Sequence, residues 1–433
     1  MRKIPQIARA IQTVLTTTAD AAGKKTGFTQ RNSKLTSSAF VQTLVLGWLS
    51  NPQASLENLA QTAASLGTPI SAQGLDQRFS EASATCLRQV LEAAVSTLIK
   101  GDPTTLPVLQ RFRAVYIQDS STIGLPASLA SLFPGGGREA ALKLQVRLDY
   151  LTGALIGPFL QAARRHDKVS VIQHLPIEKG AIRLADLGYF SLACLEKIDQ
   201  DGGFYLSRVQ VQTKIFDLKK NLLDLPRWLE NQQQDQIDCP ILLGQSHQIN
   251  TRLLALRVPE EIAKKRRRQL RYQAGRKAQQ PSKARLALAG WTLLVTNAPP
   301  SLLAFKEALA LARVRWQIEL LFKLWKSQGH VDKSRSQKPW RILTEVYAKL
   351  IGLIFQHWIF LTNLWKHPNK SLVKAAQIVR TYAVLIASAI ASFKKLSQAL
   401  HTIRRCLENS CRMNMRAKKP NTFQLLMTCN QRP

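Results

Sequence analysis

Three acidic residues stand where they could together hold metal ions. Asp119 and Asp186 each follow a short apolar run, and Glu319 lies in a segment with helical periodicity. Carboxylate oxygens are the ligands that Mg²⁺ and Mn²⁺ prefer, and two such ions about 4 Å apart need several shared oxygens. A site of this type activates a bound water or hydroxyl group and stabilises the leaving oxygen of an in-line displacement at phosphorus. The three residues therefore predict phosphoryl-transfer chemistry.

Each carboxylate also has an ordinary structural interpretation. Asp119 is followed by Ser, Ser and Thr, so it could cap a turn at the end of a strand. Asp186 could be the N-cap of the following helix, and Gly188 would let the chain turn there. Glu319 could belong to a solvated face on which it pairs with Arg315. The alternatives stay open for each residue taken singly.

The segment 310–329 predicts one helix with two distinct faces. Its buried stripe consists of apolar residues spaced by three or four, namely Leu311, Val314, Ile318, Leu321 and Trp325. A second face carries Arg315, Glu319, Phe322 and Lys326, at i, i+4, i+7 and i+11. We expect Arg315 and Lys326 to contact phosphates beside the carboxylate.

The charge of the chain predicts a polyanionic partner. Among its 433 residues, Lys and Arg total 61 against 27 Asp and Glu, a formal net charge of +34. Such self-repulsion favours binding to nucleic acid, although a basic protein whose charge only aids solubility or contact with membrane surfaces is the alternative. The segment 264–285 holds ten basic residues and no acidic one, so it predicts either a DNA-binding surface or a flexible charged loop.

Periodicity and turn residues predict an α/β chain of several domains. Residues 1–105 read as helical, and strands are expected at residues 112–121, 141–153, 154–164, 181–186 and 202–211, with a helix at 188–200. The first three strands can form an antiparallel meander, and helices should cover both faces of a mixed sheet. Four regions follow: a helical domain at 1–105, a core at 106–215 and 301–370, a β-rich insertion at 216–300, and a basic helical region at 371–433.

Several classes of protein are disfavoured. The six cysteines are scattered without a CxxC pair, which argues against a disulfide framework or a zinc finger. The N-terminus lacks the apolar run of a secretory signal. Residues 350–365 are apolar but fall short of the roughly 20 residues that span a bilayer, so we predict a buried core helix there.

Three motifs resemble those of the IS4-type DDE transposases of bacterial insertion sequences. The first is Asp119 with the Ser-Ser-Thr that follows it, and the second is Asp-x-Gly-Tyr from Asp186 to Tyr189. The third is the signature Tyr-x2-Arg-x3-Glu-x6-Lys, which matches at Arg315, Glu319 and Lys326. The departure is Ala312, which stands where the family has tyrosine.

The resemblance implies a ribonuclease H-like core in which Asp119, Asp186 and Glu319 are catalytic and hold two Mg²⁺ or Mn²⁺ ions. It implies that the N-terminal domain binds terminal inverted repeats, that target DNA is the second substrate, and that the C-terminal region pairs two protomers. It also implies a β-rich insertion before the glutamate and a cytoplasmic, nucleoid-associated bacterial protein with no membrane partner. The residues expected to bind DNA are Arg315, Lys326, Lys323, Arg266, Arg267, Arg268 and Trp291.

Trp291 has two interpretations, because a strand tryptophan can stack on an unpaired base or belong to the core. Two alternatives to transposition also remain. One is a nuclease on the same scaffold that cleaves DNA without strand transfer. The other is a DNA-binding protein descended from a transposase that lost catalysis, for which Ala312 is the motivation.

Overall fold

The structure, a computed structural model, describes residues 3–31, 34–276, 278–414 and 421–428. The α-helices in this part of the chain are α1 Lys3–Thr13, α2 Ala19–Lys25, α3 Ser37–Ser50, α4 Leu56–Ser65, α5 Ala72–Asp76, α6 Glu81–Ser96, α7 Pro107–Gln110, α8 Val171–His174, α9 Leu192–Gln200, α10 Leu225–Glu230, α11 Glu260–Gly275, α12 Lys283–Leu288, α13 Phe305–Val314, α14 Trp316–Ser327, α15 Pro339–Phe360, α16 Leu372–Thr381, α17 Ala383–Ala389, α18 Phe393–Asn409 and α19 Thr422–Thr428. The strands are β1 Val115–Leu125, β2 Ala140–Asp149, β3 Leu155–Ala162, β4 Ile182–Ala185, β5 Phe204–Arg208, β6 Ile215–Phe216, β7 Leu222–Leu223, β8 Gln236–Leu243, β9 Ile249–Arg257 and β10 Trp291–Thr296.

The strands form one mixed sheet in the order β3-β2-β1-β4-β5-β10-β9-β8-β6-β7. β4 pairs in parallel with both β1 and β5, whereas β3 pairs antiparallel with β2, and β10 pairs antiparallel with both β5 and β9. The α/β class with a mixed sheet and flanking helices is thus as predicted. Parallel neighbours bring the carboxyl ends of β1 and β4 to the same edge, which is where chemistry is expected in such sheets.

The described residues divide into two compact units. The first comprises Met1–Leu106, Ser120–Arg165 and Trp316–Phe423, and the second comprises Pro107–Asp119, His166–Arg315 and the residues from Gln424. One boundary falls inside β1 and another at the junction of α13 and α14. The domain boundaries predicted from the sequence stay a prediction.

The first unit is largely helical, and local sequence fixes several of its helix ends. Ser55 and Ser80 begin α4 and α6 with reciprocal capping boxes, in which the serine hydroxyl accepts from the N3 amide. The long helix α15 packs against α3 and α6, and every residue from 342 to 360 is buried. The buried core helix predicted at 350–365 is therefore confirmed as far as Phe360, after which the chain turns. Among the described residues, no single helix is both long and apolar enough to cross a bilayer, although the pair α16 and α17, bent by 47°, meets the test of length and composition.

The apolar core of the second unit packs against neighbouring strands of the sheet. Tyr116, Phe190, Leu195, Tyr205 and Trp291 belong to one buried apolar cluster. The strands predicted within 216–300 are present as β8, β9 and β10, but they extend the same sheet through the β5–β10 pairing. The region expected as an insertion therefore shares a core with β1 and β5.

His357 on α15 makes the stability of the first unit depend on pH. Its side chain is fully buried, which favours the neutral form of the ring, and its Nε2 donates to the Gly153 carbonyl at 2.7 Å. Burial lowers the pKa of His357 from 6.5 to about 4. Because the folded pKa lies below the unfolded one, the stabilisation is complete above pH 6.5 and is lost as the pH falls towards 4.

We expect the free energy of unfolding to fall by about 3 kcal/mol more between pH 7 and pH 4 in the natural protein than in a His357→Gln variant. Glutamine keeps an Nε2 donor for Gly153 but does not titrate in this range. Urea unfolding of both proteins across the pH range measures their free energies of unfolding. Subtracting one pH profile from the other removes the contribution of all other titrating groups. Parallel pH profiles would show that His357 is not the responsible group.

Candidate active site

Asp119 lies within β1 and not at its end. The strand was predicted over 112–121 with Asp119 at its C-terminal end, but β1 continues to Leu125, so the prediction of a strand end beside Asp119 is wrong, as is the alternative of a turn cap. The pairing with β4 nevertheless stops at Gln118 opposite Ala185. Asp119 is the first residue beyond that ladder, and it is half-buried. The ladder between β1 and β4 therefore ends immediately before Asp119.

Asp186 occupies the equivalent position on β4. It directly follows Ala185, the last paired residue, and it precedes a short 3-10 turn at Leu187–Tyr189. Its backbone carbonyl accepts from the Tyr189 amide at 2.9 Å, but its side chain makes no capping hydrogen bond. The N-cap interpretation therefore accounts for the backbone of Asp186 and leaves its carboxylate for another role.

Arg315 joins these two aspartates. Its Nη1 donates to Asp119 Oδ2 at 3.2 Å, and its Nε lies 3.9 Å from Asp186 Oδ1. The Arg315 and Asp119 side chains are 13% and 18% exposed, so solvent screens this pair less than a surface pair. Arg315 was expected to contact DNA phosphates, and in this structure it contacts the carboxylates. The guanidinium marks a place where the protein favours a positive charge.

Glu319 lies in the first turn of α14 and is half-buried. The single helix predicted over 310–329 is two helices that meet at Arg315, whose backbone keeps helical angles. All five residues of the predicted stripe are buried, as expected. Phe322, which the helical spacing placed on the polar face, is also buried, because α14 packs its apolar residues over a wider arc than one stripe.

The two lysines of α14 face different surroundings. Lys326 Nζ donates to the Thr122 carbonyl on β1 at 2.9 Å, which ties the end of the helix to the strand that carries Asp119. Lys323 is exposed and lines a pocket of about 400 Å³ together with Leu320, Trp365 and other residues of the first unit. Its ammonium group can therefore reach a ligand from solvent.

The basic run at 264–285 is mainly helical, so the flexible-loop interpretation is wrong. Its helix α11 holds Lys264, Lys265, Arg268 and Arg271 exposed. An exposed row of cations on a helix can neutralise phosphates without a change of fold.

Two of the arginines expected to bind DNA bond to the protein instead, Arg266 to β10 and Arg267 to α12 and to Glu260 of its own helix. Arg266 Nη1 donates to the Trp291 carbonyl at 2.9 Å and Nη2 to Thr292 Oγ1 at 3.1 Å. Arg267 donates to the Leu286 carbonyl and pairs with Glu260. Burial lowers the pKa of Arg266. Their hydrogen bonds to protein leave Arg268, among these three, as the one whose charge faces solvent.

Trp291 is a core residue. It is 7% exposed and belongs to the apolar cluster of the second unit, with the Arg257 guanidinium 4.5 Å above its ring. A base cannot stack on a face that is covered in this way. The stacking role is therefore wrong in this structure, and the core alternative is correct.

A family comparison identifies the chain. The model of the transposase DDE domain family matches residues 110–355, more than half of the sequence. This chain belongs to the transposase DDE domain family. The match includes Asp119, Asp186 and Glu319.

Curated relatives of this family member are transposases of insertion sequences. The transposase of IS231B from Bacillus thuringiensis subsp. berliner is 26% identical over 439 residues, which cover 93% of this chain and 91% of the relative. The transposase of IS231F from Bacillus thuringiensis subsp. israelensis is 25% identical and covers 83% of this chain and 81% of the relative. The transposase of IS1151 from Clostridium perfringens is 24% identical, with 67% and 66% covered. The resemblance inferred from the three motifs is confirmed.

The donors around Arg315 suit the divalent ions that DDE transposases generally use. Asp119 and Asp186 offer only oxygen ligands, which hard cations such as Mg²⁺ require, and an ion could replace the guanidinium charge between them. Within the described ranges, however, no group of three or more His, Cys, Asp or Glu side chains is arranged to hold a metal ion. The three-carboxylate site of this transposase therefore stays a prediction.

Sequence reasoning missed one buried polar residue near the two aspartates. Arg183 lies on β4, three residues before Asp186, and is 3% exposed. The signal was present, since a single arginine interrupts the otherwise apolar run at 181–185. A charged residue inside a strand that is buried on both faces needs specific partners.

Proposed function

We propose that the protein binds the ends of an insertion sequence and catalyses metal-dependent DNA cleavage and strand transfer. In this proposal Asp119, Asp186 and Glu319 hold two Mg²⁺ or Mn²⁺ ions. The observation that carries it is the pair of aspartates at the same edge of adjacent parallel strands, with one guanidinium between them, in a chain of the transposase DDE domain family. When bound, the ions would lower the pKa of a water or DNA 3′-OH and stabilise the leaving oxygen.

Arg315 has a charge-compensating role in this proposal. Two carboxylates that directly follow the paired residues of neighbouring strands repel each other, and the guanidinium 3.2 Å from one and 3.9 Å from the other offsets that repulsion. A guanidinium also presents five donors in a planar fork that matches phosphate oxygens. Arg315 can therefore offset the negative charge of the two carboxylates and can also donate to a DNA phosphate.

Glu319 and the two lysines supply the rest of the proposed site from α14. Glu319 follows Arg315 by one helical turn, which is the spacing of the family signature. Lys326 uses one of its three ammonium donors on Thr122, so it can contact a phosphate while it stays attached to β1. Lys323 is exposed on the same helix and would contact the DNA backbone as a point charge.

The charge of the protein supports DNA as its partner. The net charge of +34 and the exposed cations of α11 favour a polyanion whose binding does not depend on sequence, and Arg268 belongs to that surface. The proposal has three further parts. The N-terminal helices recognise terminal inverted repeats, two protomers pair across the DNA ends, and the protein acts at the nucleoid in the cytoplasm.

A strand-transfer assay tests this function. The full-length protein is incubated with Mg²⁺, a labelled DNA that carries the element's ends, and a target plasmid. We expect labelled DNA joined to the plasmid, because the 3′-OH released by cleavage is the nucleophile of the joining step. Cleavage without any joined product would contradict transposition and support the nuclease alternative.

Ala312 favours a second candidate, a DNA-binding protein that has lost catalysis. It lies on α13, half-buried, at the signature position that holds tyrosine in the family. An Ala312→Tyr variant separates the two candidates. If the natural protein never cleaves with metal and the variant does, the loss of tyrosine inactivated this copy. Equal cleavage by both would show that the tyrosine is dispensable.

A further inference from the structure

Arg183 lies at the centre of a buried polar network in the second unit. Its Nε donates to Gln118 Oε1, its Nη2 to Gln173 Oε1 at 2.6 Å and to the Tyr189 carbonyl at 3.3 Å, and its Nη1 lies 2.8 Å from Cys194 Sγ. Within the described part of the chain, no carboxylate forms an ion pair with this guanidinium. A buried charge with only neutral partners depends on every one of these hydrogen bonds.

The two glutamines that accept from Arg183 also donate to backbone carbonyls of the same region. The Gln118 amide donates to the Ile172 carbonyl at 2.6 Å, and the Gln173 amide donates to the Tyr189 carbonyl at 3.0 Å. Gln118 and Gln173 are 0% and 5% exposed, so water does not compete for these bonds. A fully satisfied buried network holds its members in one arrangement.

The partners of Arg183 flank both aspartates. Gln118 immediately precedes Asp119, and Tyr189 closes the 3-10 turn that begins after Asp186. Arg183 itself pairs with Tyr116 on β1 and with Tyr205 on β5 in the sheet register. One side chain therefore connects the chain segments that carry the two carboxylates, without contacting either carboxylate.

We propose that Arg183 is a positioning residue, which fixes the separation of Asp119 and Asp186 by holding Gln118 and the turn at Tyr189 to the same guanidinium. This inference rests on the proposed function, in which the two aspartates hold divalent cations. Metal ligands have to be placed within about 0.5 Å of the productive geometry, and loss of an outer residue that orients them lowers metal affinity by about 10–100-fold.

The test compares Mn²⁺ binding by full-length proteins, measured from the electron paramagnetic resonance signal of free Mn²⁺, with no DNA and no turnover. In an Arg183→Met variant we expect the Mn²⁺ dissociation constant to rise about 10–100-fold. An Arg183→Lys variant, which keeps the charge but loses the planar fork, should show a smaller rise, and it serves as the test if the methionine variant does not fold.

Arg252 provides the matched control. It is a buried arginine of the same unit, on β9, which pairs with Asp238 and donates to the carbonyls of Ala298 and Leu303. Its partners do not flank Asp119 or Asp186. An Arg252→Met variant should lower the melting temperature but keep the Mn²⁺ dissociation constant within about twofold of the natural value, because its effect is on stability alone.

Three results would overturn the inference in distinguishable ways. If Arg183→Met binds Mn²⁺ as tightly as the natural protein, Arg183 does not position the site although the metal site exists. If Arg252→Met weakens binding as much as Arg183→Met, the effect is a general loss of stability. If the natural protein and an Asp119→Asn variant bind Mn²⁺ equally, the proposed metal site itself is wrong, and the role of Arg183 falls with it.

Discussion

Replacing Asp119 or Asp186 by Asn is expected to lower Mg²⁺-dependent DNA cleavage by at least about 10²–10³-fold, the cost of removing one preorganised electrostatic group at a reacting centre. Asn keeps the shape of the side chain and an oxygen that can accept from Arg315, so the fold should tolerate the change. The lost charge removes the reason for a divalent ion to bind between the two strands. Single-turnover cleavage of labelled end DNA measures the rate, and Glu319→Gln should behave in the same way.

DNA affinity has to be measured on the same variants. We expect it to stay within a few-fold of the natural value, because removing a negative charge cannot weaken attraction to a polyanion. The matched control is Asp238→Asn on β8, which removes a carboxylate from another Asp–Arg pair of the same sheet. It should cleave at the natural rate below its melting temperature. Cleavage that survives in Asp119→Asn or Asp186→Asn would contradict the proposed catalytic site.

The second large effect is the dependence of DNA binding on salt. If the protein neutralises 6–10 phosphates, its affinity should fall by about 10³–10⁵ between 50 and 200 mM salt. Replacing the four exposed cations of α11, namely Lys264, Lys265, Arg268 and Arg271, by Gln should make the slope of log K against log salt shallower by about three to four. Fluorescence anisotropy of a labelled duplex over this salt range measures both quantities.

The controls for this prediction come from the same unit. A variant with four other exposed lysines replaced by Gln has the same net charge, and its changes are at Lys179, Lys197, Lys214 and Lys219. Its slope should stay near the natural one. Arg266→Met should lower stability and leave the slope unchanged, because Arg266 bonds to the β10 backbone. Equal slopes for the α11 variant and the lysine control would place the DNA elsewhere.

Many of the helices and strands could be predicted from the sequence because they depend on the local periodicity of apolar residues. The alternation and β-branched content of residues 112–164 specify three strands, and the spacing of apolar residues in 310–329 specifies five of the side chains that α13 and α14 bury. Asp186 could be placed at the end of a strand because it ends an apolar run, whereas β1 continues beyond Asp119. The net charge predicts a polyanion whatever the fold.

Partners across the sheet could not be predicted, because they depend on register. Asp119 and Asp186 are 67 residues apart, and only the parallel pairing of β1 with β4 puts them at equivalent positions. The length of β1 beyond Asp119 depends on its later neighbours and not on its own sequence. The strands of 216–300 were recognised, but their attachment to β5 through β10 is a long-range pairing.

The element that carries a side chain could likewise be predicted from the sequence, whereas the partners of that side chain could not. From the amino-acid sequence alone, Arg315 can be assigned to a helix, Arg266 to a basic run, and Arg183 and Trp291 to strands. Their partners depend on packing: Arg315 lies between two carboxylates, Arg266 bonds to the sheet, Arg183 is buried in a polar network, and the ring of Trp291 is covered by Arg257. The physical reason is that an arginine side chain has long reach and five donors, so its partner is whichever acceptors the packed chain leaves within hydrogen-bond distance.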